Sequence, residues 1–172
     1  KVFHPVTLGV LVVFSSALFL SAFLLFAIQP MFTKMLLPTL GGSPAVWNTA
    51  MLFFQTMLVL GYVYSHCIRT FRLHRQIICH VLVLIIACVV LPLSMSGNAP
   101  PISGGSPIFW VLGALAISVG LPFFALSANA PLLQYWFAKT NHPLSKDPYF
   151  LYAASNLGSI LALLSYPLLF EP

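Results

Sequence analysis

From residue 76 to residue 138 the chain carries no Lys, Arg, Asp or Glu, an uninterrupted run of 63 residues. A water-soluble fold cannot present so long a segment without charge, because its surface positions need polar side chains. The whole chain of 172 residues holds only seven basic and two acidic residues, 5% charged against about 25% in an ordinary globular domain. Mean hydropathy is +1.00 and 60% of the residues are hydrophobic. These values exclude a soluble enzyme, a nucleic-acid-binding module and a disordered chain. They predict an all-α integral membrane bundle.

A helical span needs about 20 mainly apolar residues. Five spans are predicted, at residues 6–28, 44–65, 76–93, 107–130 and 148–170. The apolar run at 6–26 exceeds the roughly 7–15 residues of a signal-peptide core, so it is read as a retained span. Gln29-Pro30 is expected to end it. A short interfacial helix over 31–37 is expected to follow, stopped by Pro38 and Gly41-Gly42. Ser43-Pro44, Ser106-Pro107 and Asp147-Pro148 share one start signal. In each, a capping oxygen precedes a proline, whose missing N–H costs nothing at the first helical position.

The few charges orient the bundle. Lys1, Arg69, Arg72, Arg75, Lys139 and Lys146 fall on one expected face, with His66 and His74, and only Lys34 lies on the other. The positive-inside rule places that face in the cytoplasm. The N-terminus is then cytoplasmic, the C-terminus outside, and the uncharged loop 94–106 outside. Trp47, Trp110, Tyr135 and Trp136 occupy interface-belt positions. The net charge of +5 expresses this bias and contact with anionic lipid. Lipid is therefore an expected partner and nucleic acid is not.

A short echo links two starts. GGSPAVW at 41–47 matches GGSPIFW at 104–110, an offset of 63 residues. It marks either a duplicated hairpin or convergent capping beside an interface Trp; the match stops short of the helices, which favours the second.

Polar residues inside spans are costly and tend to mark function. Asn48 and Gln55 are seven apart and share a helix face. Asn129 lies near the end of the fourth span. Tyr149, Tyr152, Asn156 and Ser159 step by 3, 4 and 3 and make one stripe. Asn48, Gln55, Asn129, Tyr152, Asn156 and Ser159 either line a polar cavity or supply interhelical hydrogen bonds, worth about 0.6 kcal/mol each. No ionisable residue joins them, which favours bonding. Ala154, Gly158 and Ala162, and likewise Ala116 and Gly120, repeat at four and suit close helix packing.

Other chemistry is sparse. His80 sits about one turn into the third span, but no second intramembrane His completes a haem site. Ligation of a haem or chlorophyll-type metal is disfavoured, and no cofactor is expected. The spacing of His66, Cys67, His74, Cys79 and His80 fits no zinc pattern. Cys67, Cys79 and Cys88 are expected as free thiols. Asp147 and Glu171 are the only acids and stand at span ends, so paired-carboxylate catalysis is excluded within these residues.

Several blocks resemble one known family. They are LLPTLGGSPAVWN at 36–48, Phe53-Phe54-Gln55, Gly61-Tyr62 with His66, LPFFALSANAPLL at 121–133, and DPYFLYAASNLGSILALLSYPLLFEP at 147–172. They resemble bacterial membrane proteins described as spermidine-synthase-like, or as fused major-facilitator-like/spermidine synthase proteins. The resemblance runs through almost the whole chain. It implies a bacterial inner membrane location. It also implies a soluble aminopropyltransferase-like domain in relatives, binding a decarboxylated S-adenosylmethionine-type donor and a polyamine. The glycine-rich donor loop and catalytic Asp cluster of such a domain do not occur in these 172 residues.

The residues therefore favour a single transmembrane domain without catalytic machinery, an accessory or structural subunit that packs against membrane partners. Two alternatives stay open: a transport or channelling module, and the membrane anchor of a spermidine-synthase-like protein. The absence of intramembrane charge weighs against ion-coupled transport.

Overall fold

A computed structural model of the chain describes residues 5–40, 43–93 and 106–170. Lys1, the two glycine pairs, residues 94–105 of the expected outer loop 94–106, and Glu171 lie outside the described residues. Those residues form α1 (Pro5–Leu40), α2 (Pro44–Ile68), α3 (Leu73–Val89), α4 (Pro107–Ala138) and α5 (Tyr149–Ser165). There is no strand among them. A π turn, Ala116–Gly120, interrupts α4, and a second, Tyr166–Phe170, follows α5. The protein is a helical membrane bundle. Four segments are long and apolar enough to cross a bilayer: Thr7–Pro38, Pro44–Ile68, Pro107–Ala138 and Tyr149–Leu169. The 17 residues of α3 reach only about 26 Å, short of a hydrocarbon core of roughly 30 Å.

The expected break at Pro30 does not occur. Helix α1 runs for 36 residues, with Pro30 and Pro38 inside it, so residues 31–37 continue the first helix. A proline removes one N–H and crowds the preceding turn. In an apolar setting the chain gains nothing by breaking there, since every freed backbone group would need a new partner. Just beyond Pro30, the Thr33 hydroxyl donates to the Gln29 carbonyl at 2.7 Å. The same reasoning carries α4 through Pro131 to Ala138, beyond the expected end at 130.

The caps follow the expected pattern only in part. Ser43 is the N-cap of α2 and accepts from the Val46 N–H at 3.4 Å, with Pro44 at the first helical position. Ser106 is the N-cap of α4, again followed by a proline, but its side chain makes no capping bond. At α5 the N-cap is Pro148 itself and the helix starts at Tyr149. Asp147 is thus one residue too early to cap, and its own N–H donates to Leu144 in the preceding turn.

The chain divides into two compact units. One comprises Lys1–Ala27 and Ala128–Pro172. Its core is Leu18, Phe137 and Leu151, with Phe14 and Phe150 packed edge-on to Phe137 at 5.4 and 5.2 Å between ring centres. The other comprises Ile28–Ser127. There α2 packs against α4, with the Phe54 and Phe123 rings 4.9 Å apart.

Small residues set the closest approach in the first unit. A Cβ on Gly158 would run into the backbone carbonyl of Phe19, so α5 and α1 meet there without a side chain between them. Ala162, one turn on, is fully buried, and Ala154 is half-buried. In α4, Gly120 is buried beside Met57 and Phe53, whereas Ala116 is exposed. The π turn places an extra residue between them and offsets the four-residue repeat. Gly158→Ala should therefore force α5 away from α1 and lower the detergent-solubilised melting temperature by several degrees. Gly113→Ala, which meets nothing within 4 Å, should leave it unchanged or raise it. Thermal unfolding of both variants followed by circular dichroism checks the contrast.

Candidate functional site

The two echoed starts come together in space. Ser43, Ala45, Val46 and Thr49 of the α2 start, with Ser106, Pro107, Ile108 and Val111 of the α4 start, line one cavity of about 270 Å³. Its walls are mostly apolar. The Thr49 hydroxyl is turned away from ligands, donating to the Ala45 carbonyl at 2.8 Å. The repeated Ser-Pro starts thus pair two helix ends.

Further along the same helices, the Ser127 hydroxyl lies 3.2 Å from the Met57 carbonyl and 2.7 Å from that of Phe124, tying α4 to α2. Ser118, in the π turn, is buried and its oxygen has no hydrogen-bond partner. Asn48 and Gln55 do not face α4. Both are exposed, on the side of α2 away from its buried residues Ala50, Phe54, Gly61 and Ser65.

The α2–α3 hairpin holds the most polar buried cluster. Gln76, 2% exposed, donates its amide to the Phe71 carbonyl at 2.7 Å and to that of Arg69 at 3.4 Å. One side chain therefore closes a turn whose carbonyls point inward. His80, also 2% exposed, lies one turn on, its ring 6.0 Å from that of Tyr64. Cys67, Cys79 and Cys88 are free thiols. Cys67 and Cys79 line one cavity with Tyr64 and Phe71. Among the described residues no three His, Cys, Asp or Glu side chains gather as a metal site would require. Arg72 and Arg75 are exposed at this turn, with His66 and His74.

In the other unit, Asn129 donates to Ser21 of α1 at 3.0 Å, and Ser21 is buried. The α5 stripe points the other way. Tyr149, Tyr152 and Asn156 are exposed, while Leu151, Gly158 and Ala162 are buried. Ser159 is half-buried and its hydroxyl donates to the Asn156 carbonyl at 2.9 Å. Of the residues expected to line one polar cavity, Asn48 and Gln55 belong to one unit and the other four to the second; Asn48, Gln55, Tyr152 and Asn156 are exposed.

His142 escaped the sequence reading, which weighed its loop only by Lys139 and Lys146. The ring is buried against Phe137. Its Nδ1 accepts from the Leu144 N–H at 3.0 Å, so Nε2 carries the proton and donates to the Thr7 carbonyl at 3.2 Å. The loop is thereby latched to the start of α1. Asn141 before it and Pro143 after it were the available sign of an ordered turn. Near the same loop, the Lys139 ammonium stands 5.5 Å over the Tyr135 ring.

No protein family, no curated protein and no solved structure matches the chain.

The hairpin clamp has a measurable weight. Gln76→Leu fits the volume but leaves two inward carbonyls without their donor, and should cost about 1–3 kcal/mol of stability. Asn129→Leu removes the helix–helix bond to Ser21 and should cost about 0.6 kcal/mol for that contact. Reversible unfolding in mixed micelles ranks the two; equal losses would show that the Gln76 bonds carry no special weight.

Proposed function

We propose that this chain is a non-catalytic subunit of a larger membrane assembly, contributing helix faces rather than a reactive site. One observation carries this reading. Gln55, Asn48 and Asn156 lie within apolar helices, yet they are exposed, and among the described residues their side-chain amides have no hydrogen-bond partner. Gln55 stands 55 − 44 = 11 residues into the 25-residue α2, about 16 Å from its start and near mid-membrane. An amide left in hydrocarbon without a partner costs several kcal/mol. A neighbouring protein helix supplies the missing donors and acceptors; lipid tails cannot. The alternative of a polar conduit is less favoured because Asn48 and Gln55 are exposed and do not line the cavity at the α2 and α4 starts.

The location we propose is a bacterial inner membrane, with the N-terminus in the cytoplasm. Arg69 and Arg72, in the turn that follows α2, and Arg75, in the first turn of α3, support the orientation through the positive-inside rule.

The experiment is affinity purification of the tagged full-length protein from native membranes in mild detergent. A second membrane protein should co-purify at fixed stoichiometry. Asn156→Leu, on the outward stripe of α5, should weaken its retention several-fold without reducing the amount of folded chain. A preparation in which no other chain is retained overturns this reading.

A further inference from the structure

The outward face of α2 has a regular build. Asn48, Leu52, Gln55, Val59, Tyr62 and His66 step by 4, 3, 4, 3 and 4, and every one of them is exposed. At about 100° per residue these positions form one stripe along the helix. The stripe lies opposite the residues that α2 buries, Ala50, Phe54, Gly61 and Ser65. This is the 3–4 spacing with which one helix packs along another at a shallow crossing angle. Leu52 and Val59, 60% and 61% exposed, supply apolar knobs. Asn48, Gln55 and Tyr62 recur at seven and supply hydrogen-bonding groups at one heptad position.

We infer that this stripe is a self-association seam, and that its occupant is α2 of a second copy of the chain. The inference rests on the subunit reading above and specifies one of its contacts. The chemistry of the seam selects the occupant. Two copies inserted in the same orientation share a two-fold axis along the membrane normal, so their α2 helices run parallel. In a parallel pair each heptad position meets its own counterpart. A carboxamide carries both donor and acceptor, so Gln55 and Asn48 each satisfy their own counterparts, and the Tyr62 hydroxyl can do the same. Charged side chains set partner choice in heptad pairs. From residue 48 to residue 62 the seam has none, so two copies meet without repulsion. Lipid would instead leave Gln55 unsatisfied at mid-membrane.

The test is cysteine cross-linking in native membranes. Cys67, Cys79 and Cys88 are first replaced by Ser, and the melting temperature of that background is checked against the unmodified protein. Single cysteines then replace Leu52, Gln55, Val59 and Tyr62 on the seam, and Thr56 and Leu60 beside it. Oxidation should give disulfide-linked dimers at the four seam positions and little at the two flanking ones. Gln55→Leu in the full chain should weaken dimerisation about threefold, read by energy transfer between labelled copies in lipid vesicles. Cross-linking that is absent, or equal at all six positions, overturns the seam. If it is absent while another membrane protein still co-purifies, self-pairing fails and the subunit reading stands. If the seam pattern appears and no other chain is retained, self-pairing stands and the larger assembly fails.

Discussion

In hydrocarbon there is no water to take up a backbone N–H or C=O that loses its partner, and this requirement governs the rest of the molecule. It keeps α1 continuous through Pro30 and Pro38, and α4 through Pro131. It also directs the hydroxyl side chains. Ser16, Thr33, Thr49, Thr56 and Ser65 each donate to the carbonyl four residues back, at 2.7 or 2.8 Å. These hydroxyls are spent within their own helices and are poorly placed to bind a ligand.

Carboxamides divide differently. Gln76 and Asn129 are turned inward, one closing the α2–α3 turn and the other joining α4 to α1 within its unit. Asn48, Gln55 and Asn156 are exposed, and their amides have no hydrogen-bond partner among the described residues. The inward pair hold the fold together. The outward set do nothing for the isolated chain and would be a liability in lipid. Their placement makes sense as part of a surface that another helix completes.

The helix starts were legible in the sequence where the signal is local. Ser43-Pro44 and Ser106-Pro107 mark the starts of α2 and α4, Ser43 through a capping bond and both through a proline at the first helical position, where its missing N–H costs nothing. Asp147-Pro148 misled, since the helix begins one residue later, at Tyr149, which makes Pro148 the N-cap and leaves the Asp147 carboxylate outside the capping position. Helix ends were less legible. Pro30 and Pro131 read as stops by rules drawn from soluble chains, where water takes up the freed groups. The individual polar residues were visible, yet which way each faces was not, because that depends on packing between distant segments. His142 and Gln76 show the limit from the other side. Each binds carbonyls chosen by the fold, at sequence distances of 135 and of 5 and 7 residues, and no composition or periodicity marks them.

The two outward stripes also differ in a way that bears on what each can meet. The α2 stripe carries two carboxamides seven residues apart, with Leu52 between them and Val59 beyond, a pattern that can satisfy itself across a two-fold axis. The α5 stripe carries one amide, at Asn156, and its Ser159 hydroxyl is already spent on the Asn156 carbonyl. Tyr149 and Tyr152 lie in its first turn, where phenol groups can reach the membrane–water boundary. A single amide gives a face little means of fixing its register against a copy of itself. It is better matched by a different helix that offers one complementary group at that depth. On the proposal made above, the α2 face pairs with its own copy and the α5 face with an unlike helix, and neither contact requires a reactive site.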